Sequence, residues 1–160
     1  MKDIMNFGIE EARRTMNENK GGPFGAVITD SEGNIISVAS NRVLELHDAT
    51  AHAEVMAIRE AGKILGTHDL SGCTLYATGY PCPMCLSAII WANIKTVYYG
   101  NTKEDADEIG FRDNIIYKYL EMEKTPKDSK ELLKIIEIDR EETIKTFDNY
   151  KNKTENKTMY

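Results

Sequence analysis

The sequence predicts a three-layer α/β/α sandwich on a mixed five-stranded sheet, folded as a single domain over 1–160. Three observations lead there. Helical and strand-like segments follow one another in the order αββαβαβαβα, a pattern that sets helices on both faces of a sheet. The strand–helix–strand unit at 73–100 calls for parallel strands joined by a right-handed crossover. The two strands within 21–41 are joined by the turn "DSEGN" and pair as a hairpin, which makes the sheet mixed. A chain of 160 residues is long enough to bury a core of its own.

Each element has its own signal. A helix is expected over roughly 3–18, with Ile4, Phe7 and Met16 as its inner face. "GGPFGAVITDSEGNIISVASN" supplies the hairpin. A helix over about 51–65 carries Val55, Ile58, Ala61 and Leu65 at helical spacing, with Asp48 or Thr50 placed to cap it. "CTLYAT" (73–78) has the β-branched and aromatic content of a strand. "PMCLSAIIWANI" (83–94) is a helix with Pro83 at its first position, where the missing N–H is harmless. "KTVYYG" (95–100) is a strand, 112–122 a helix, "LKIIEID" (133–139) an alternating fifth strand, and 140–152 a last helix. By composition the polar tail "KNKTENKTMY" reads as disordered.

Composition narrows the function. Hydrophobic residues make up 41% and charged residues 29%, ordinary for a soluble domain. No run of 18 apolar residues exists, so no membrane span or membrane partner is expected. Acidic residues stand where a signal peptide would have its apolar core, and three cysteines argue against a disulfide framework; a cytoplasmic location is expected. The net charge is −6, with 7 basic and 11 acidic residues in 1–80 and 13 and 15 in 81–160. Neither half is basic, so no nucleic-acid partner is expected.

The chemistry lies in "TAHAEVMA" (50–57) and "PCPMC" (81–85). His52 and Glu54 are two apart and cannot share a face in mid-helix. Both reach one point only at the start of a helix. Cys82 and Cys85, three apart, share a face at the start of another, where the helix dipole favours thiolates. The parallel unit sets that start at the carboxyl end of the 73–78 strand, the edge at which open α/β sheets hold ligands. Two thiolates and a neutral imidazole make a three-ligand Zn2+ site whose fourth position is open to water, and zinc lowers the pKa of water to about 7. Glu54, beside the metal but not on it, is placed to carry protons. Other readings of a Cys-x-x-Cys pair are a redox couple or half of a structural zinc site. A redox couple leaves His52 and Glu54 unexplained, and a structural zinc needs a fourth ligand. His47, His68 and Cys73 sit at no ligand spacing; they read as surface or core residues. The combination H-x-E…P-C-x-x-C is the signature of zinc-dependent nucleobase deaminases.

With "GGPFGAVI" (21–28), "AHAEVMAIREAGKILG" (51–66), "PCPMCLSAIIWA" (81–92), "GFRDNIIYK" (110–118) and the terminal Tyr160, the chain resembles the cytidine deaminase superfamily, and within it the bacterial guanine deaminases. That resemblance implies a cytidine deaminase-like fold and hydrolytic deamination of guanine at C2. It matches His52, Cys82 and Cys85 to zinc ligands, Glu54 to the proton shuttle, and Asp113 to a second carboxylate near the leaving amino group. It matches Phe24, Asn41, Ala53 and Trp91 to the purine pocket. It further implies a homodimer whose C-terminal segments, about 140–160, are exchanged, so that Tyr160 closes the neighbouring subunit's site. Read from the residues alone, Phe24 and Trp91 are equally core residues. On the same terms Asn41 reads as the end of a strand, Asp113 as the cap of the following helix and Tyr160 as a loose end. One position departs from the pattern: Tyr80 stands where relatives often carry an acidic residue. The rival readings are a tRNA adenosine deaminase, a cytosine, nucleoside or aminotriazine deaminase, and a non-catalytic zinc-stabilised module.

Overall fold

The structure, a computed structural model, describes residues 4–122, 137–156 and 158. Its contacts divide the chain into two compact units, one up to Asn114 and one from Ile115 onward. The first holds α1 (Ile4–Asn17), β1 (Gly25–Thr29), β2 (Ile35–Ser40), α2 (Val43–Leu46), α3 (Ala53–Leu65), β3 (Thr74–Gly79), α4 (Pro83–Trp91), β4 (Thr96–Asn101), α5 (Lys103–Glu108) and the first residues of α6 (Asp113–Met122). The second holds the remainder of α6 and α7 (Arg140–Lys151). There the Tyr150 hydroxyl hydrogen-bonds the backbone of Thr158, accepting from its N–H at 3.0 Å.

The sheet order is β2-β1-β3-β4. β1 runs antiparallel to both neighbours and β3 parallel to β4, so the sheet is mixed as expected. Four strands are present among the described residues. The fifth expected strand falls outside them as far as 136, and 137–139 lead into α7 without regular structure. The β1–β2 turn forms around Asp30, whose Oδ1 accepts from the backbone N–H groups of Glu32 and Asn34, both at 2.9 Å. Gly33 takes the positive φ of 84° that the turn needs.

The side-chain alternation of β1 assigns its two faces. Ala26 and Ile28 pack in one core cluster with Ala53, Ala57 and Ala61 of α3 and Ile89 of α4. Val27 faces the other way, toward α1 at Gly8. All five β1 residues are buried, as a central strand covered on both faces must be. This is the expected three-layer arrangement.

Two helix faces differ in part from the expected ones, although Ala61 is in the core as expected. On α1 the buried residues are Gly8, Ala12 and Thr15, while Phe7 and Met16 are 37% and 38% exposed. On α3 they are Ala53, Glu54, Ala57 and Ala61, while Leu65 is 44% exposed and Ile58 packs only at the rim of the core. The cause is the same in both. Small residues let a helix axis approach the sheet closely, and the larger side chains are left at the flanks. At the closest point, a Cβ on Gly25 would lie 2.0 Å from the Gly8 carbonyl oxygen. Gly25→Ala should therefore destabilise the fold by at least about 1–3 kcal/mol, the range for overpacking. A drop in the denaturation midpoint checks this; an unchanged midpoint would mean that α1 shifts freely over the sheet.

Candidate functional site

Two helix starts meet at the site. α3 has His52 as its N-cap and Glu54 in its first turn; α4 has Cys82 as its N-cap, then Pro83 and Cys85 in its first turn. Neither N-cap side chain makes the usual capping hydrogen bond. They turn toward each other instead. His52 Nδ1 lies 3.5 Å from Cys82 Sγ and 3.6 Å from Cys85 Sγ, and all three ligand atoms fall within 4.8 Å of one another. The expected caps of α3 have another task. Asp48 Oδ1 accepts from the Thr50 N–H at 2.8 Å and from its hydroxyl at 2.7 Å, closing a turn ahead of the helix.

Two sulfurs and one imidazole nitrogen at this spacing are a donor set suited to zinc. No other cluster of three such groups exists among the described residues. Cys73 is buried just before β3, and His47 and His68 are exposed, away from the cluster. The Cys85 thiol donates toward Cys82, holding Cys82 below the ordinary thiol value and, with burial, pushing Cys85 well above it. The hydrogen bond to Cys82 raises His52. Burial pushes the Glu54 carboxyl up; its Oε2 lies 3.3 Å from Cys85 Sγ. Burial, then the Cys82 charge, raises Asp113.

One cleft is lined by Phe24, Asn41, His52, Glu54, Tyr80, Cys82, Phe111 and Asp113. It brings together five of the expected site residues besides the ligand Cys82, and Cys85 adjoins it through Glu54. Phe24 and Phe111 pack edge to face, with centroids 4.8 Å apart. The backbone N–H groups of Gly22 and Val43 both donate to Asn41 Oδ1 at 3.2 Å. That carbonyl is committed, so Asn41 offers the cleft its NH2 donors. Tyr80 is part of the wall, packed edge to face on Tyr99 at 5.0 Å, with Lys103 Nζ 4.9 Å from its ring centroid.

Two expected residues lie elsewhere, and a third is not described. Ala53 is fully buried in the core at the first position of α3; its side chain does not line the cleft, and only its N–H belongs to the donor-rich first turn. Trp91 ends α4, 65% exposed and outside the cleft lining. Tyr160 lies outside the described residues. Phe111, within the GFRDNIIYK segment, is a cleft residue that was not among the expected pocket residues. Its signal was an aromatic two residues before Asp113, directly after Gly110, whose φ is 95°. The short helices α2 and α5 were also missed, although Thr102 and Asp105 form a capping box on α5.

Residues 1–101 match the model of the cytidine and deoxycytidylate deaminase zinc-binding region. The chain is 51% identical over 106 residues to a guanine deaminase of Bacillus subtilis (strain 168), covering 66% of this chain and 67% of that one. It is 43% identical over 111 residues to a tRNA-specific adenosine deaminase of Agrobacterium fabrum, covering 68% and 72%. The X-ray structure of guanine deaminase from Bacillus subtilis superposes with a TM-score of 0.90 at 39% identity, covering 100% of this chain and 99% of that one.

The protein is expected to bind one zinc ion per chain. Zinc must displace the protons held on Cys85 and His52, so its affinity falls as pH falls, by up to about tenfold per pH unit for each proton released. Calorimetry in buffers of different ionisation enthalpy measures that release. A pH-independent affinity, or metal retained by Cys85→Ala, would exclude this ligand set.

Proposed function

The chain belongs to the cytidine and deoxycytidylate deaminase zinc-binding family, and on that premise we propose that it hydrolyses guanine to xanthine and ammonia. The observation that carries the reading is the cleft. It sets two carboxylates, Glu54 and Asp113, beside the zinc triad, with an aromatic pair and a fixed amide donor opposite. The likeness to guanine deaminases, which in the solved structure extends over the whole chain, supports the choice of ring.

Bound zinc supplies Lewis-acid activation of water. The chain's own residues do the rest. Glu54 takes a proton from the attacking water and hands it to a ring nitrogen beside C2. Asp113 takes part in passing a proton to the departing amino group, which leaves as ammonia. Asn41 donates to an acceptor on the purine edge, and Phe24 and Phe111 hold the ring against the wall that Tyr80 completes. Ala53 contributes through its backbone. Positioning and the electrostatics of the two helix starts supply the remaining acceleration.

In this reading the enzyme is a cytoplasmic homodimer of purine metabolism. The segment 140–160 is exchanged, Tyr160 covers the partner's cleft, and Trp91 contributes from the exposed end of α4. No helix among the described residues is long and apolar enough to cross a membrane.

Three measurements test the reading. Ammonia release from guanine, adenosine, cytosine, cytidine, ammeline and a tRNA anticodon stem-loop should be greatest for guanine. Turnover of the stem-loop in place of guanine would favour the tRNA-specific relatives instead. Glu54→Gln should keep zinc and fold while turnover falls by about two or more powers of ten, the contribution of general acid–base catalysis; near-normal turnover would remove Glu54 from the mechanism. For the tail, deleting residues 156–160 should leave a zinc-loaded protein with greatly reduced guanine turnover. Mixing that truncation with a full-length Glu54→Gln chain should restore part of it. Full activity of the truncated protein would return the tail to a dispensable end.

A further inference from the structure

A second, larger cavity of about 780 Å3 lies along the free edge of β2, walled by α1 and α3. It shares no lining residue with the cleft. Arg14, Lys20, Arg42, Arg59 and Lys63 line it, against two acidic residues, Glu11 and Glu60, in a chain of net charge −6. Its floor includes Ser40, 1% exposed, whose Oγ has no hydrogen-bond partner. The backbone adds donors. Asn41 N–H points into the sheet and donates to the Phe24 carbonyl at 2.9 Å. Antiparallel alternation then turns the amides of Val38 and Ser40 outward, to the open edge.

Basic side chains, outward amides and an unpartnered hydroxyl are the partners of a multiply charged oxyanion. The cations now hold carboxylates: Arg14 holds Glu11 and Glu18, Lys20 holds Glu18, Arg42 holds Glu45 and Arg59 holds Asp48, at 2.5 to 3.4 Å. These are solvent-exposed pairs, of the kind that contribute little and exchange readily. The space exceeds that of a single phosphate, and Val38, Met56 and Ile64 add an apolar strip.

We propose that this groove binds a phosphorylated small molecule carrying at least two phosphate groups. Zinc-loaded protein is titrated by calorimetry with tripolyphosphate and with UTP. Potassium sulfate at matched ionic strength is the control, and zinc content is verified after each run. Tripolyphosphate is expected to bind once per chain, and binding should weaken by about tenfold or more in Arg14→Gln and Lys63→Gln, the cost of one lost charge-assisted contact. Ser40→Ala, which loses only an unpartnered hydroxyl, should weaken it while leaving the fold intact. Equal affinity for tripolyphosphate and UTP identifies the phosphates as the recognised group; tighter UTP binding adds the ring on the apolar strip, and both support the site. Heat no greater than with sulfate, or binding unchanged in all three variants, overturns it. So does tighter binding of a hexaglutamate peptide or a single-stranded oligonucleotide, which would make the groove a macromolecular interface. No arm uses guanine, so failure here leaves the catalytic reading untouched.

Discussion

His52 Nδ1 and the two sulfurs of Cys82 and Cys85 must reach one point, and the layout of the molecule serves that requirement. A histidine in mid-helix would be committed to one face. As the N-cap of α3 it has extended backbone, φ −68° and ψ 155°, and its ring is free to swing past the helix end. Cys82 holds the same position on α4, with nearly the same dihedrals. Each helix gives up a capping hydrogen bond to place a ligand. The first-turn amides left over face a site that carries thiolate charge, which the helix dipoles favour. The parallel pairing of β3 with β4 delivers α4 to this place. The alanine face of α3 lets its own start come alongside.

Glu54 shows how burial and the proposed function coincide. It is 8% exposed, in a segment of alanines otherwise suited to the core. A carboxylate taken out of water resists ionisation, which suits the proton-carrying role proposed for it. The same carboxyl placed a turn later on α3 would reach only the packed face against Ala26 and Ile28.

The sequence reading succeeded where the signal is local. Hairpin turn, βαβ unit, proline at the start of α4 and the zinc signature all depend on neighbours a few residues apart, and each stands in the structure. It failed where side-chain size competes with approach distance. Phe7, Met16 and Leu65 looked like core because they are large, yet Gly8, Ala12 and the alanines of α3 are buried because they are small. The cleft was legible as a set of residues but not as a shape. Asn41 lies eleven residues before His52 and Phe111 twenty-six after Cys85, and no spacing rule spans those gaps. Trp91 looked like a pocket residue by motif, but its place at the end of α4 turns it outward from this cleft.

The two hydrogen bonds that hold Asn41 Oδ1 have a consequence for how such a site diverges. Gly22 and Val43 determine which end of the amide is presented, though neither has a side chain directed at a ligand through that contact. Gly21 packs so tightly behind them that a Cβ there would fall 2.2 Å from the Asn41 carbonyl oxygen. The polarity that an incoming ring encounters is thus encoded in main chain. With Asn41 kept, a library that randomises the other cleft-lining side chains would sample rings of one hydrogen-bonding sense. Reaching the opposite sense requires altering the glycine-rich turn, a change that a catalogue of contact residues would never suggest.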